Sequence, residues 1–165
     1  MKKILCMDWG GTFMKYALMD EEGHMLSSSK VKSPKKTESK EALLSCLDKI
    51  VYSFDGIDGI AISSAGVIDS ANGVLEAIGI FPYLNGCAVC EELQERYKVK
   101  VTIENDARCA LGAEVWKGNL QDVQDGAVVV IGTGIGTALF LNGKVRGGVH
   151  HLAGEMCAAC IDVKE

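Results

Sequence analysis

The sequence has no long hydrophobic run, no excess of basic residues and only two prolines. Its longest apolar run beyond the N-terminal region covers residues 127–131, far short of the roughly 20 residues that a membrane-spanning helix needs. The formal charge of −5 argues against a nucleic-acid-binding protein, which usually carries a basic excess, although it is compatible with a local phosphate pocket. The apolar run at residues 4–7 ends at Asp8 and is too short for a secretion signal. We therefore expect a cytoplasmic protein that contacts neither nucleic acid nor a membrane.

The residues that are abundant indicate a globular protein with reduced thiols. Apolar residues make up 48% of the 165 positions, and a chain of this length can bury about two-thirds of its unfolded surface. The seven cysteines are odd in number and irregularly spaced, which favours free thiols in or near a core over disulfides. Cys157 and Cys160 have the spacing of half a zinc site, but no second pair has the spacing of a structural site. Packing as small apolar side chains is therefore favoured for these cysteines, and metal binding or redox chemistry is the minority interpretation.

The predicted elements alternate between strands and helices, as in an α/β protein. In chain order they are antiparallel strands over 3–7, 13–19 and 24–31, a helix over 38–54, a strand over 56–62, a helix over 89–97, a strand over 99–103, a helix over 106–116 and paired strands over 127–131 and 135–141. Asn142 and Gly143 predict a hairpin, with residues 144–146 as its return strand. Because residues 117–125 are polar, we place an N-terminal domain over 1–117 and the beginning of a second domain over 118–165.

Two turns rich in glycine are candidate phosphate-binding loops. The first, at residues 8–12, places two adjacent glycines between strands, where backbone N–H groups can approach a ligand closely. Thr12 and Lys15 can add phosphate contacts, and Asp8 can hold a metal ion through water. The second, at residues 132–137, is followed by a strand and a hairpin instead of a helix, which disfavours a Rossmann dinucleotide site. Taken alone, each turn also fits an ordinary hairpin.

Two acidic segments are candidates for chemistry on a substrate. Asp106 follows a predicted strand, and its carboxylate can accept a proton from a hydroxyl while that oxygen attacks phosphorus. Asn105 can hydrogen-bond neighbouring hydroxyls, although either side chain also fits an ordinary helix N-cap. Glu155 can accept a hydrogen bond from a sugar hydroxyl. The adjacent His150 and His151 would point to opposite faces of a strand, so a metal ion shared by the two is not expected.

These motifs together resemble those of the ROK family of sugar kinases, repressors and related proteins, within the actin-like ATPase superfamily. The resemblance is carried, in matching order and separation, by residues 8–12 (D-x-G-G-T), 59–69 (the sugar-side loop), 104–107 (E-N-D-x), 132–136 (the second phosphate motif) and 154–155 (G-E). It implies an actin-like ATPase (ribonuclease H-like) domain with a mixed sheet and flanking helices, plus the start of a second similar domain. It also implies an ATP-dependent sugar kinase of the glucokinase kind, and we expect a homodimer.

The resemblance further implies roles for single residues. Asp106 would be the general base that deprotonates a hydroxyl of a hexose or hexose derivative. The residues that would bind or border this sugar are Ser64, Ala65, Gly66, Asn105 and Glu155. The residues that would hold the ATP phosphates or lie near Mg²⁺ are Asp8, Gly10, Gly11, Thr12, Lys15, Gly132, Thr133 and Gly134.

Three departures from the family pattern modify these expectations. Many members continue the last motif as G-E-x-G-H, whereas Cys157 and Ala158 stand at the matching positions here and leave the identity of the sugar open. The family's later cysteine-rich zinc motif is not in the chain, so no structural zinc is predicted. Family members are also nearly twice as long. We therefore expect an N-terminal portion that is incomplete as a catalyst. The alternatives are a sugar-binding transcriptional regulator, disfavoured because only seven residues precede Asp8, and a non-catalytic truncated module.

Overall fold

The computed structural model describes residues 1–132 and 134–157. Two compact units make up the chain, Met1–Asn105 and Asp106–Glu165. The strands of the first unit are β1 (Lys3–Trp9), β2 (Phe13–Asp20), β3 (Met25–Lys32), β4 (Gly59–Ser64), β5 (Val67–Asp69), β6 (Val74–Ala77) and β7 (Lys100–Asn105). Its helices are α1 (Lys40–Val51) and α2 (Val89–Tyr97), with a 3-10 turn at Pro82–Leu84. The second unit contains α3 (Asp106–Lys117), β8 (Gly126–Ile131), β9 (Ile135–Leu141) and β10 (Lys144–Arg146).

A five-stranded mixed sheet forms the centre of the first unit, in the order β3-β2-β1-β4-β7. The strands β1, β4 and β7 are parallel, whereas β2 and β3 run antiparallel to their neighbours. Parallel strands require crossover connections, and α1 and α2 lie in the segments that precede β4 and β7. The mixed sheet with flanking helices is thus confirmed.

The core of the first unit lies on one face of this sheet. Leu5, Met7 and Trp9 of β1 are buried, whereas Cys6 and Asp8 point to the opposite face and are partly exposed, because successive side chains of a strand alternate. The helical residues that pack into the same core are Leu43, Leu47, Ile50, Val51, Val89, Cys90 and Leu93. Each large side chain buried in this way contributes about 1.5–3 kcal/mol, so apolar periodicity fixes which face of each helix meets the sheet.

An ion pair joins the two helices of the first unit. The Arg96 guanidinium donates to both carboxylate oxygens of Asp48, from Nε at 2.7 Å and from Nη2 at 2.5 Å. The Tyr97 hydroxyl donates to the same carboxylate at 3.0 Å. The hydrogen bonds from Arg96 hold the pKa of Asp48 below its usual value. Burial and the neighbouring carboxylate raise the pKa of Tyr97. The carboxylate of α1 therefore links α1 to α2 at the surface, in addition to their packing in the core.

The second unit is a three-stranded antiparallel sheet, β10-β9-β8, with α3 packed against it. Its core residues are Ala107, Leu111, Ala138 and Phe140. The turn between β9 and β10 has positive φ at both central residues, +53° at Asn142 and +69° at Gly143, as the commonest two-residue hairpins require. The hairpin that the sequence predicts is present here.

Two features differ from the sequence predictions. The strands β5 and β6 form a hairpin where the sequence predicts no element, because strands of three and four residues are too short to show a period. Helix α1 is shorter than 38–54 because the Ser39 hydroxyl caps it, accepting from the Ala42 N–H at 3.4 Å. Helix α3 packs on β8 and β9. The extents of the domains stay a prediction. None of the helices in the described part of the chain has the length and apolarity of a membrane span.

Candidate active site

The parallel strands of the first unit end level with one another. Strand pairing aligns Asp8 of β1 with Ser63 of β4, and Ser63 with Glu104 of β7. The next residue of each strand points to the buried face, and on β7 this residue is Asn105, which is 5% exposed. Ligands of α/β proteins bind at the carboxyl ends of parallel strands. This edge is therefore the candidate site of the first unit.

The first glycine turn connects β1 to β2 at this edge. A Cβ atom at Gly10 would lie 2.7 Å from the backbone oxygen of Phe13, so only glycine fits there without displacing the chain. A Cβ atom at Gly11 would lie 3.3 Å from the Ile80 side chain. Gly11 and Thr12 are exposed. The turn is held tightly against its neighbours and still presents its backbone to solvent, as a phosphate loop requires.

Ser33 contacts the first glycine turn from the end of β3. Its hydroxyl donates to the backbone oxygen of Gly10 at 2.5 Å, and its N–H donates to the backbone oxygen of Thr12 at 3.1 Å. Ser33 is buried. No sequence motif predicts a role for Ser33, because Ser33 and Gly10 are 23 positions apart and no local pattern connects them.

Asp8 lies beside a cation and a hydroxyl. Its Oδ2 atom is 3.7 Å from the Lys15 ammonium, and the Ser63 hydroxyl donates to its Oδ1 atom at 3.4 Å. These three side chains line an open cavity of about 580 Å³ on the face of the sheet opposite the core. Mg²⁺ is usually held by one or two carboxylates together with substrate phosphates, so a half-exposed carboxylate at this edge fits the ion. No group of three metal-ligating acidic, histidine or cysteine side chains occurs among the residues that the structure describes.

The sugar-side loop follows β4 and is braced from the buried side. Ser64 is fully buried, and its hydroxyl donates to the backbone oxygen of Ala65 at 3.2 Å. The Asn105 amide donates from Nδ2 to the backbone oxygen of Gly66 at 3.2 Å. Gly66 has a φ of +117°, and a Cβ atom there would lie 2.4 Å from the backbone oxygen of Ala77. In this structure Ser64 and Asn105 therefore shape the loop, whose surface is formed by Ala65 and Gly66.

Glu104 links the end of β7 to the β5–β6 hairpin. Its Oε2 atom accepts a hydrogen bond from the Ser70 hydroxyl at 2.8 Å, and its Oε1 atom accepts from the Asn105 N–H at 2.6 Å. The E-N-D-x motif contains Glu104 but predicts no separate function for it. The feature that points to Glu104 is its position at the carboxyl end of β7, level with Ser63 and Asp8 on the neighbouring strands.

Asp106 is the first residue of α3 and is exposed. Its Oδ1 atom accepts a hydrogen bond from the Ala107 N–H at 2.9 Å. A carboxylate at a helix N-terminus is stabilised by the positive end of the helix dipole. The N-cap interpretation and the functional one therefore do not conflict, because the exposed carboxylate keeps acceptor capacity for a ligand.

The second glycine turn joins β8 to β9. The Gly132 N–H donates to the backbone oxygen of Gly134 at 2.9 Å, and a Cβ atom at either glycine would have no heavy atom of the described residues within 4 Å. A Cβ atom at Gly136 would lie 3.2 Å from that of Ala107, so β9 passes close to the start of α3. The second unit thus brings the turn near Asp106. Three residues that the sequence analysis names, Thr133, Ala158 and Cys160, lie outside the described residues.

Thr137 binds the backbone on both sides of Glu155, and no sequence motif predicts this role. The Thr137 hydroxyl donates to the backbone oxygen of Gly154 and accepts from the Met156 N–H at 3.0 Å. These two hydrogen bonds fix the backbone immediately before and after Glu155. Gly154 has a φ of +79°, and a Cβ atom there would lie 2.6 Å from the Leu139 side chain. Glu155 is half-buried on this segment.

Comparison with known proteins shows the family. Residues 4–163 match the sequence pattern described as the ROK family. The chain belongs to the ROK family. A beta-glucoside kinase of this kind from Klebsiella pneumoniae is 33% identical over 153 residues, which are 93% of this chain and 51% of that protein. The chain thus spans about half the length of the ROK relatives that it matches.

Solved structures of ROK proteins share the fold. A ROK family protein from Streptococcus pneumoniae in complex with sucrose superposes with a TM-score of 0.80 at 35% identity, over 93% of this chain and 51% of the other. A ROK family glucokinase from Streptomyces griseus in complex with glucose and AMPPNP superposes with a TM-score of 0.81 at 25% identity, over 93% and 49%. The actin-like ATPase fold that the motifs imply is confirmed.

Proposed function

We propose that the protein carrying this chain is an ATP-dependent kinase that phosphorylates a hydroxyl of a hexose or hexose derivative. The observation that carries the proposal is the level row of Asp8, Ser63 and Glu104 at the carboxyl ends of parallel strands, from which the chain runs directly into Asp106. A beta-glucoside kinase and a glucokinase that binds glucose and an ATP analogue are among its relatives, which supports the same substrate classes here.

Asp106 is the proposed general base. A sugar hydroxyl is a weak nucleophile at neutral pH, so its proton must be accepted as the new oxygen–phosphorus bond forms. The exposed carboxylate at the start of α3 is suited to this step, which is worth about 10²–10⁴-fold in rate. The sugar would lie against Ala65 and Gly66, with Glu155 accepting a hydrogen bond from one of its hydroxyls. Ser64 and Asn105 would shape that surface.

The glycine turns are the proposed cradle of the ATP phosphates. Backbone N–H groups of Gly10, Gly11 and Thr12 and of residues 132–134 would donate to phosphate oxygens, and the Lys15 ammonium would add a positive charge. Mg²⁺ would be held at Asp8 together with phosphate oxygens, where its charge offsets that of the transferring group.

The proposal is tested with Asp106→Asn in the natural protein that carries these residues. We expect kcat to fall about 10²–10⁴-fold while the dissociation constant of the sugar changes less than about threefold, because the amide keeps the shape and loses the basicity. The matched control is Asp122→Asn, which changes an exposed aspartate outside the site. A rate of Asp106→Asn close to that of the control would refute the assignment.

The substrate is identified by assaying a panel of hexoses, including glucose, N-acetylmannosamine and a β-glucoside, with detection of ADP. We expect one or a few sugars to be phosphorylated with saturation kinetics. Operator-DNA binding in a gel shift, with no ADP formed from any sugar, would instead support the regulator. The dimer stays a prediction, which light scattering measures directly.

A further inference from the structure

We propose that Ser33 is a positioning residue that aims the backbone N–H of Gly11 at the bound phosphates. The inference rests on the proposed function, because it assumes that the first glycine turn binds ATP. Ser33 is buried and contacts both sides of the turn, through its hydroxyl at Gly10 and through its N–H at Thr12.

Peptide geometry explains how a distant hydroxyl sets the direction of a donor. The backbone oxygen of Gly10 and the N–H of Gly11 belong to one planar trans peptide group, so they point in opposite directions. When the Ser33 hydroxyl holds the Gly10 oxygen at 2.5 Å, the Gly11 N–H is turned away from Ser33. The Ser33 N–H donates to the backbone oxygen of Thr12, and this hydrogen bond fixes the orientation of the peptide group that follows Thr12 in the same way.

The surrounding sequence keeps Ser33 in place. It follows the last pair of the β2–β3 ladder, Phe13 with Lys32, so its backbone continues that ladder to Thr12. Pro34 comes next and is buried, and a residue that precedes proline is restricted to extended conformations. Glycine alone would leave the turn with many conformations. Ser33 therefore supplies the rigidity that the two glycines lack.

The test compares Ser33→Ala, Ser33→Thr and the control Ser27→Ala in the natural protein. Ser27 is an exposed serine on the same strand. We expect Ser33→Ala to weaken Mg·ATP binding about five- to tenfold, the effect of one lost hydrogen bond to a partly buried acceptor, and to speed hydrogen exchange at Gly11. Sugar affinity should stay within about twofold of wild type, and Ser33→Thr, which keeps the hydroxyl, should restore Mg·ATP affinity. A merely structural role would lower thermal stability without separating the two affinities.

Each contrary result has a distinct meaning. If wild type binds Mg·ATP and Ser33→Ala binds it as Ser27→Ala does, the inference about Ser33 is wrong and the proposed function stands. A folded Ser33→Thr variant that does not recover the affinity also overturns the inference, because the hydroxyl is then not the cause. If wild type binds no Mg·ATP, both the proposed function and the inference about Ser33 are refuted.

Discussion

Replacing Gly66 by alanine tests the shape of the sugar-side loop. The backbone of Gly66 has a φ of +117°, a region that residues with a Cβ atom rarely adopt, and a Cβ atom there would lie 2.4 Å from the backbone oxygen of Ala77. A second contact, at 3.3 Å, would form with Ile78. Gly56 provides a matched control, because it has a φ of +65° and, in the part of the chain that the structure describes, no heavy atom within 4 Å of a Cβ position.

The expected loss of stability in Gly66→Ala is the sum of the backbone strain at positive φ and the steric contact of the added methyl group. Backbone strain at a positive φ costs about 1–3 kcal/mol, and forcing an added methyl group into an occupied space costs about 1–3 kcal/mol more. Gly66→Ala should therefore lower the free energy of unfolding by about 2–6 kcal/mol. Gly56→Ala carries the strain alone and should lose about 1–2 kcal/mol.

The measurement is urea denaturation followed by the fluorescence of Trp9. Trp9 lies in the core of the first unit and is 1% exposed, so its emission reports the unfolding of that unit. The other tryptophan, Trp116, is replaced by phenylalanine in all variants so that it does not contribute. Equal losses in Gly66→Ala and Gly56→Ala would show that the contact with Ala77 does not constrain the loop.

Three further predictions concern other parts of the chain. Thr137→Val keeps the side-chain volume but removes the hydroxyl beside Glu155, so sugar affinity in the natural protein should fall about five- to tenfold by calorimetry, with recovery in Thr137→Ser. The lowered pKa of Asp48 stabilises the fold fully above the unfolded value of about 3.9, and this contribution is lost as the pH falls from there through the lower folded value. Denaturation at pH 7 and pH 3 should therefore show a smaller acid loss in Asp48→Asn than in wild type, and equal losses would contradict the ion-pair argument. Alkylation followed by peptide mapping should modify exposed Cys157 well before Cys46, because burial raises the pKa of the Cys46 thiol.

The elements that are long enough to show an apolar period were predictable from the sequence, and the short elements were not. The strand β1 alternates apolar and other residues over its seven positions, and the helix α1 repeats leucine at helical spacing, so both show their buried face. The hairpin of β5 and β6 has seven residues in strands and a register shift between Val67 and Ile68. Its formation depends on packing of Ile68 and Leu75 into the core, which no local pattern reveals.

Some residues of the candidate site were likewise predictable from the sequence, and others were not. Its motif residues, such as Gly10 and Asp106, follow strands directly and can be located from spacing. The residues that hold them in place, Ser33 and Thr137, lie 23 and 17 positions from the backbone groups that they bind. Serine and threonine on strands are common, so only the folded chain distinguishes these two from the rest. The roles of all these residues stay predictions until the variants are measured.

The outermost strand of the five-stranded sheet, β3, carries three consecutive serines and two lysines, and seven of its eight residues are exposed. An outer strand presents unpaired backbone groups to which a strand of another molecule can add. Lysine opposes such an addition, because its ammonium would lose hydration in the growing sheet. Concentrated solutions of the folded chain should therefore resist fibril growth along this edge, and replacing the lysines by valine should remove that protection.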